Sequence, residues 1–327
     1  MPGLSEFELI DALLKPLAEK SGGAFSLSDD AALLPDPPSG YGHVVTKDAL
    51  AVGIHMRADD PPGDMARKAL RVNLSDLAAM GAHPVGFFMA LCLGPETDET
   101  YLRYFVEGLS GDIETFNVPL MGGDIIRQQG PFTISITAIG AVPKDDLLRR
   151  SGAQPGDALW VSGTIGDGAL GLLVADGQGP KLSEADKSEL IKRYRIPEPR
   201  LALGIGLVGI ANACIDVSDG LVSDVGHLCA ASSVGCSIAA PSVPLSPAAD
   251  EALKIDFELM PSVLTGGDDY ELAFAAPKQA EKDIKDLSTE VGIPATRIGF
   301  FEAGEGLSVM DRAGKAMNFT SAGYRHA

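Results

Sequence analysis

Seven aspartates, each in a short stretch rich in glycine, serine or alanine, hold the chemical potential of this chain. They are Asp30 in SDDAALL, Asp48 in TKDAL, Asp76 in NLSDLAAMGA, Asp124 in MGGDIIR, Asp216 and Asp219 in IDVSDGL, and Asp268 in TGGDDYEL. Carboxylates on turns and strand ends beside small residues suit hard cations that are themselves bound to phosphates. Gathered by the fold, they make a multi-magnesium phosphoryl-transfer site. Left apart, they are ordinary turn and cap residues. The small–small–acid pattern recurs at Gly122-Gly123-Asp124, Ser218-Asp219-Gly220 and Gly266-Gly267-Asp268, and each reads as a strand end where backbone approaches a ligand.

Other catalytic patterns are missing or weak. Gly166, Gly168 and Gly171 spell G-x-G-x-x-G after an expected strand, but no strand ending in an acid follows about 20 residues on, so dinucleotide binding is not expected. Gly204, Gly206 and Gly209 repeat the spacing inside an apolar helix. There is no G-x-x-x-x-G-K-[ST], no protein-kinase signature set and no H-E-x-x-H. Few cations lie near the aspartates; Arg150 is placed to grip a phosphate and His55, seven residues after Asp48, to touch a substrate.

The elements that must position these groups follow from periodicity. Residues 5–17 read as an opening helix with a Ser5–Glu8 capping box. A Gly-, Asp- and Pro-rich loop covers 22–42, and a short strand at 43–46 ends at Lys47-Asp48. Residues 65–80 are helical, with Asn73 and Asp76 on one face. Strands are expected at 85–93, 118–121 and 132–142, and a helix at 99–116. Residues 143–157 have the composition of a linker. Beyond it come a strand at 158–162, helices at 168–175, 183–195, 200–212 and 221–233, and further α and β elements to about 310. The alternation predicts an α/β or α+β fold in two layers.

A length of 327 residues suggests two domains, and 45% apolar residues suffice for large cores. The net charge of −19 argues against nucleic acid or an anionic membrane as partner. It also means that any polyphosphate must be held by metals, backbone N–H groups or a few placed cations. Cys92, Cys214, Cys229 and Cys236 form no C-x-x-C pair and read as buried reduced thiols. The amino-terminal stretch does not read as a signal peptide and the longest apolar run is too short to span a bilayer, so a soluble, cytoplasmic protein is expected.

SDDAALL, TKDALAVGIHM, KALRVNLSDLAAMGAHP, MGGDIIR, RRSGAQPGDALWVSGTIGDGALGL, ACIDVSDGLVSDVGHL and TGGDDYELAF, in this order and with a terminal GYRH, resemble the thiamine-monophosphate kinase family across nearly the whole chain. That family belongs with the aminoimidazole ribonucleotide synthetase-like proteins. Of its wider relatives, selenophosphate synthetases carry a reactive Cys or selenocysteine near the amino terminus, and none precedes Cys92. The hydrogenase-maturation enzyme ends in a functional Cys, whereas this chain ends Tyr324-Arg325-His326-Ala327.

The resemblance implies an α+β amino-terminal domain (1–145) that binds ATP and magnesium and pairs strands across a homodimer. It implies an α/β carboxyl-terminal domain (146–327). ATP and thiamine monophosphate are the implied substrates, with several Mg²⁺ ions and no general base. Carried over residue by residue, Asp30, Thr46, Asp48, Asp76, Asp124, Asp216 and Asp219 would bind magnesium. Gly123, Asp124, Arg150 and Ser218 would contact ATP, and His55, Asp268 and Tyr324 the thiamine monophosphate. The chain departs from the family pattern at Ser28 (usually Gly), Lys47 (Ser or Thr), Met56 (aromatic) and Asp268 (Glu). The alternatives are another ATP-using member of the superfamily, or a non-catalytic acidic protein that binds divalent cations. No 12-residue calcium loop supports the latter.

Overall fold

The computed structural model describes residues 6–319 and 323. The chain divides into two compact units: Met1–Leu77 with Ala82–Lys144, and Ala78–Gly81 with Asp145–Ala327.

The first unit opens with α1 (Glu6–Leu9), a π turn (Ile10–Leu14) and a 3₁₀ turn (Lys15–Ala18) in place of one continuous helix. Pro16 has no N–H to continue an α ladder, which accounts for the tightening at its position. Ser5, half of the expected capping box, lies outside the described residues. A further 3₁₀ segment, Gly22–Leu27, leads to Ser28, whose φ of −110° is open to any residue, so glycine is not required there.

Strands β1 (Tyr41–Ala51), β2 (His83–Leu93), β3 (Leu120–Arg127) and β4 (Thr133–Pro143) form a sheet in the order β1-β4-β2-β3. Only the β2–β3 pair is parallel. Helix α3 (Glu99–Phe116) makes the crossover between them, as a parallel connection demands. Asp98 caps its start by accepting from the Tyr101 N–H, and Asn117 ends it in the left-handed region. Helix α2 (Pro62–Ala79) is joined to α3 by Asp112, whose buried carboxylate accepts from Arg67 and, in a fork, from Arg71 at 2.6 and 2.9 Å. A fork of this kind fixes both distance and rotation between the helices.

Two expectations about this sheet are corrected. β1 runs for 11 residues, because β4 pairs with it continuously from Tyr41 to Ala51. Gly122-Gly123-Asp124 lies in mid-strand rather than at a strand end, because β2 pairs alongside as far as Arg127. Glycine is still needed there: a Cβ on Gly123 would sit 1.9 Å from the Met89 carbonyl oxygen.

In the second unit β5 (Ala158–Ser162), β6 (Ala213–Asp216), β7 (Gly235–Ala239), β8 (Leu272–Ala276), β9 (Ala295–Glu302) and β10 (Gly306–Met310) pair in the order β10-β7-β9-β5-β8-β6. Its helices are α4 (Asp167–Ala175), α5 (Glu184–Arg195), α6 (Leu201–Gly206), α7 (Leu221–Ser232), α8 (Pro247–Ile255), α9 (Met260–Thr265) and α10 (Glu281–Val291). Strands buried on both faces read as unbroken apolar runs, and β5 and β8 are buried at every position. Leu159, Val161, Ala273 and Ala275 enter one core; Ala158, Trp160, Leu272 and Phe274 enter the other. Helix α6 stops well short of the expected 200–212, and Gly209 stands beyond it at φ 78°. All four cysteines are free thiols. Among the described residues no helix is long and apolar enough to cross a membrane.

Candidate functional site

In the first unit the alternation of β1 puts Thr46 and Asp48 on one face and Lys47, exposed, on the other. Helix α2 meets that first face with Asn73 and Asp76, three residues apart. The Thr46 hydroxyl donates to Asp76 Oδ2, and the Asp48 N–H donates to Asn73 Oδ1 at 3.1 Å. The Asp76 carboxyl group also lies near enough to that of Asp48 to influence its ionisation. Burial raises the Asp48 carboxyl above its ordinary value, and the influence of Asp76 offsets this in part. Two neighbouring half-buried carboxylates, with a hydroxyl beside them, hold either a proton or a cation. Their all-oxygen donor set fits a hard divalent ion such as Mg²⁺.

The other first-unit candidates stand apart from this pair. Asp48 aligns with Ile136 on β4, Met89 on β2 and Gly123 on β3. Three strand spacings put Asp48 and Gly123 roughly 14 Å apart, at opposite edges of the sheet. Asp124 is exposed at that far edge, where its own backbone neighbour Ile125 donates to it at 2.9 Å. Asp30 is exposed in a bend, after the Gly22–Leu27 segment that packs on β3. His55 sits on the turn that closes β1, and its Nδ1 accepts from the Ala51 N–H at 3.2 Å. That bond sets the neutral tautomer with the proton on Nε2. Met56 is buried, a core residue and not a stacking platform.

In the second unit two loops lie side by side. The β6–α7 loop carries Ser218 and Asp219 after the buried Asp216; the loop before β8 carries Asp268. The Ser218 carbonyl accepts from Asp268 N–H at 2.8 Å, and the Val217 carbonyl from Tyr270 N–H at 2.8 Å. Asp268 takes φ 64°, the left-handed region that aspartate tolerates better than most residues. Arg150 is exposed, and its carbonyl accepts from the Ser232 hydroxyl. Tyr324 lies outside the described residues. Among the described residues, no three His, Cys, Asp or Glu are grouped to hold a metal ion.

Two acids that sequence reasoning passed over organise these loops. Asp224, on α7, accepts at Oδ2 from the N–H groups of Ser218, Asp219 and Gly220. Burial, and then the Asp219 charge, push its carboxyl up to about 7, against the three N–H groups that favour ionisation. Asp269 accepts from Gly166 N–H at 3.0 and 2.8 Å and from Gly168 N–H at 3.1 Å. The donors of the first G-x-G-x-x-G are therefore spent on an internal carboxylate and are closed to a pyrophosphate. Burial drives the Asp269 carboxyl well above the carboxylate range, with the Gly166 N–H acting against it. The spacing of Asp224, four residues into the helix after Gly220, was the available signal.

The AIR synthase related protein N-terminal domain profile matches residues 28–142, and its C-terminal domain profile matches 154–312. The chain belongs to the AIR synthase related family, with that family's two-domain α/β fold. The thiamine-monophosphate kinase of Caulobacter vibrioides is 40% identical over 307 residues, 93% of this chain and 86% of that protein. A crystal structure of thiamine-monophosphate kinase from Stenotrophomonas maltophilia K279a gives a TM-score of 0.85 at 40% identity, covering 96% of this chain and 98% of that one. AaThiL complexed with AMPPCP and TMP gives 0.79 at 31% identity, covering 99% and 97%. Within the wider family, this chain is a member of the thiamine-monophosphate kinases.

Proposed function

We propose that the chain transfers the γ-phosphoryl group of ATP to the phosphate of thiamine monophosphate, giving ADP and thiamine diphosphate. The likeness to AaThiL complexed with AMPPCP and TMP, extending over 99% of this chain, carries the reading. The proximity of Asp48 and Asp76 supports it from the side of chemistry.

In this reading Asp30, Thr46, Asp48, Asp76 and Asp124 of the first unit, and Asp216 and Asp219 of the second, are the magnesium ligands. Gly123, Asp124, Arg150 and Ser218 contact ATP; His55, Asp268 and Tyr324 face thiamine monophosphate. The acceptor is a phosphate monoester whose second pKa is about 6, so it is mostly dianionic at neutral pH and needs no general base. The obstacle is charge. Each like-charged pair of oxygens at about 4 Å costs about 4 kcal/mol at an effective dielectric of 20. Bound magnesium supplies the neutralisation and alignment that an in-line displacement requires. Around it the chain's own task is to hold acceptor and nucleotide still while keeping its carboxylates ionised.

Transfer is direct. Incubation with Mg²⁺, γ-labelled ATP and thiamine monophosphate is expected to move label into thiamine diphosphate and leave none on the protein. Label trapped on the chain during turnover refutes the direct step, and no thiamine diphosphate at all refutes the activity. Replacing His55 with Ala is expected to raise KM for thiamine monophosphate about tenfold, the loss of a hydrogen bond to a charged group, with kcat little changed. An unchanged KM removes His55 from the site.

The proposal includes a homodimer formed through the first-unit sheet, and a cytoplasmic location. Val45 is 63% and Ile126 49% exposed on its strands, and the buried Ser135 hydroxyl has no hydrogen-bond partner among the described residues. Sedimentation equilibrium is expected to give twice the chain mass of 34.0 kDa. A single-chain mass at micromolar concentration counts against it.

A further inference from the structure

Helix α7 starts without a side-chain cap: Gly220 occupies the N-cap at φ 119° and ψ 144°. Ser218 and Asp219, just before it, are residue types that commonly fold back onto the first N–H groups of a helix. Here the direction is reversed: Asp224, from inside the helix, gathers the N–H groups of the loop residues that lead into it. The N–H groups of Ser218, Asp219 and Gly220 reach Asp224 Oδ2 at 3.0, 3.0 and 3.2 Å. Asp224 is 3% exposed, whereas Ser218 and Asp219 stay half-buried.

Three successive N–H groups aimed at one point, at the positive end of a helix, form a concavity that takes anions. A nucleotide phosphate is such an anion. The chain fills the concavity with a carboxylate of its own, with two consequences. A phosphate is refused that position. The backbone of residues 218–220 is also pinned by its donors, which leaves the side-chain oxygens of Ser218 and Asp219 for other partners. The Ser218 carbonyl is already committed to the Asp268 N–H, so the same pin carries over to the neighbouring loop.

We infer that Asp224 is a positioning residue for phosphoryl transfer, setting through one carboxylate oxygen the placement of Ser218 and Asp219. The inference rests on the proposed roles of Asp219 as a magnesium ligand and Ser218 as an ATP contact. It concerns where an acceptor oxygen stands, and two substitutions separate that from charge. Asp224→Asn keeps an acceptor oxygen in place and removes the charge. Asp224→Glu keeps the charge and moves the oxygen outward by one methylene, roughly 1.5 Å.

The measurement is Mn²⁺ binding in the presence of AMPPCP, followed by the electron paramagnetic resonance of free Mn²⁺, so no turnover is involved. It is paired with kcat and KM for thiamine monophosphate, at a temperature where circular dichroism shows the parental fold. Asp224→Asn is expected to keep Mn²⁺ affinity and kcat within about threefold of the parent. Asp224→Glu is expected to weaken Mn²⁺ binding by about tenfold or more and to lower kcat, the scale seen when an outer partner of a metal ligand is disturbed. KM for thiamine monophosphate stays unchanged in both. If Asp224→Glu does not fold, Asp224→Ser withdraws the oxygen instead and is expected to show the same loss. Parental Mn²⁺ affinity in the displaced-oxygen variant, or equal losses in both variants, overturns the inference. A parental chain that binds no Mn²⁺ with AMPPCP removes the underlying reading itself.

Discussion

Asp76→Asn is expected to lower kcat by about 100- to 1,000-fold, on the scale of losing one electrostatic contact to a developing transition state. Asparagine has the same shape and still accepts from the Thr46 hydroxyl, so α2 and β1 stay joined as they are by Thr46–Asp76 and Asp48–Asn73. What it removes is one of two neighbouring carboxyl groups. In the free protein their proximity is a liability, since burial already disfavours the charged form of Asp48. The metal-free variant is therefore expected to melt at or above the temperature of the parent. Residues that cost stability in the empty site and serve it when filled are typical of function. Activity and thermal melting of the same preparation check both halves. A kcat within about twofold of the parent excludes Asp76 as a ligand. A large fall in melting temperature makes it a structural residue instead.

That pairing was only half legible in the sequence. The three-residue spacing of Asn73 and Asp76 announces a shared helix face, and helix and strand were both expected. Their partners Asp48 and Thr46 lie 25 and 30 residues away, and only folding brings them within a hydrogen bond. Self-contained local signals suffice for some elements. Helix α3 matches its expected bounds, framed by an Asp98 cap and a left-handed Asn117. Strand β5 does too, an apolar run buried on both faces. Boundaries failed where a neighbour supplied the hydrogen bonds. β1 continues through Lys47-Asp48 because β4 pairs with it, and β3 continues through Gly122-Gly123 because β2 does. Asp224 and Asp269 were missed for a related reason. Each looks like a solvated or turn acid until the backbone donors that converge on it are seen.

Replacing Glu271 by Gln is expected to destabilise the second unit by about 3–5 kcal/mol near neutral pH, the cost of breaking a buried ion pair from one side. Glu271 is fully buried, and its carboxylate accepts from the Ser162 hydroxyl, from Arg193 Nη2 at 2.8 Å and from Arg200 Nε at 2.6 Å. Gly163 leaves the room for it: a Cβ there would lie 2.1 Å from a carboxylate oxygen. Burial alone would raise the Glu271 carboxyl, but the guanidinium of Arg200, then that of Arg193, and the Ser162 hydroxyl hold it below the ordinary value of 4.5. A carboxyl depressed on folding stabilises the protein above its unfolded pKa and loses that contribution as pH falls through the folded value. The gap between parent and variant should therefore be full at pH 7 and shrink only below about 4.5. Urea unfolding followed by the fluorescence of Trp160, the single tryptophan, reads this unit directly, since the ring is buried against Phe274. A gap independent of pH would assign the loss to packing. The effect should also reach the loops, because the Glu271 carbonyl accepts from Val217 N–H at 2.7 Å, immediately before Ser218 and Asp219. Mn²⁺ affinity is then expected to fall in the variant while it is still folded, and an unchanged affinity would separate this ion network from the site it adjoins.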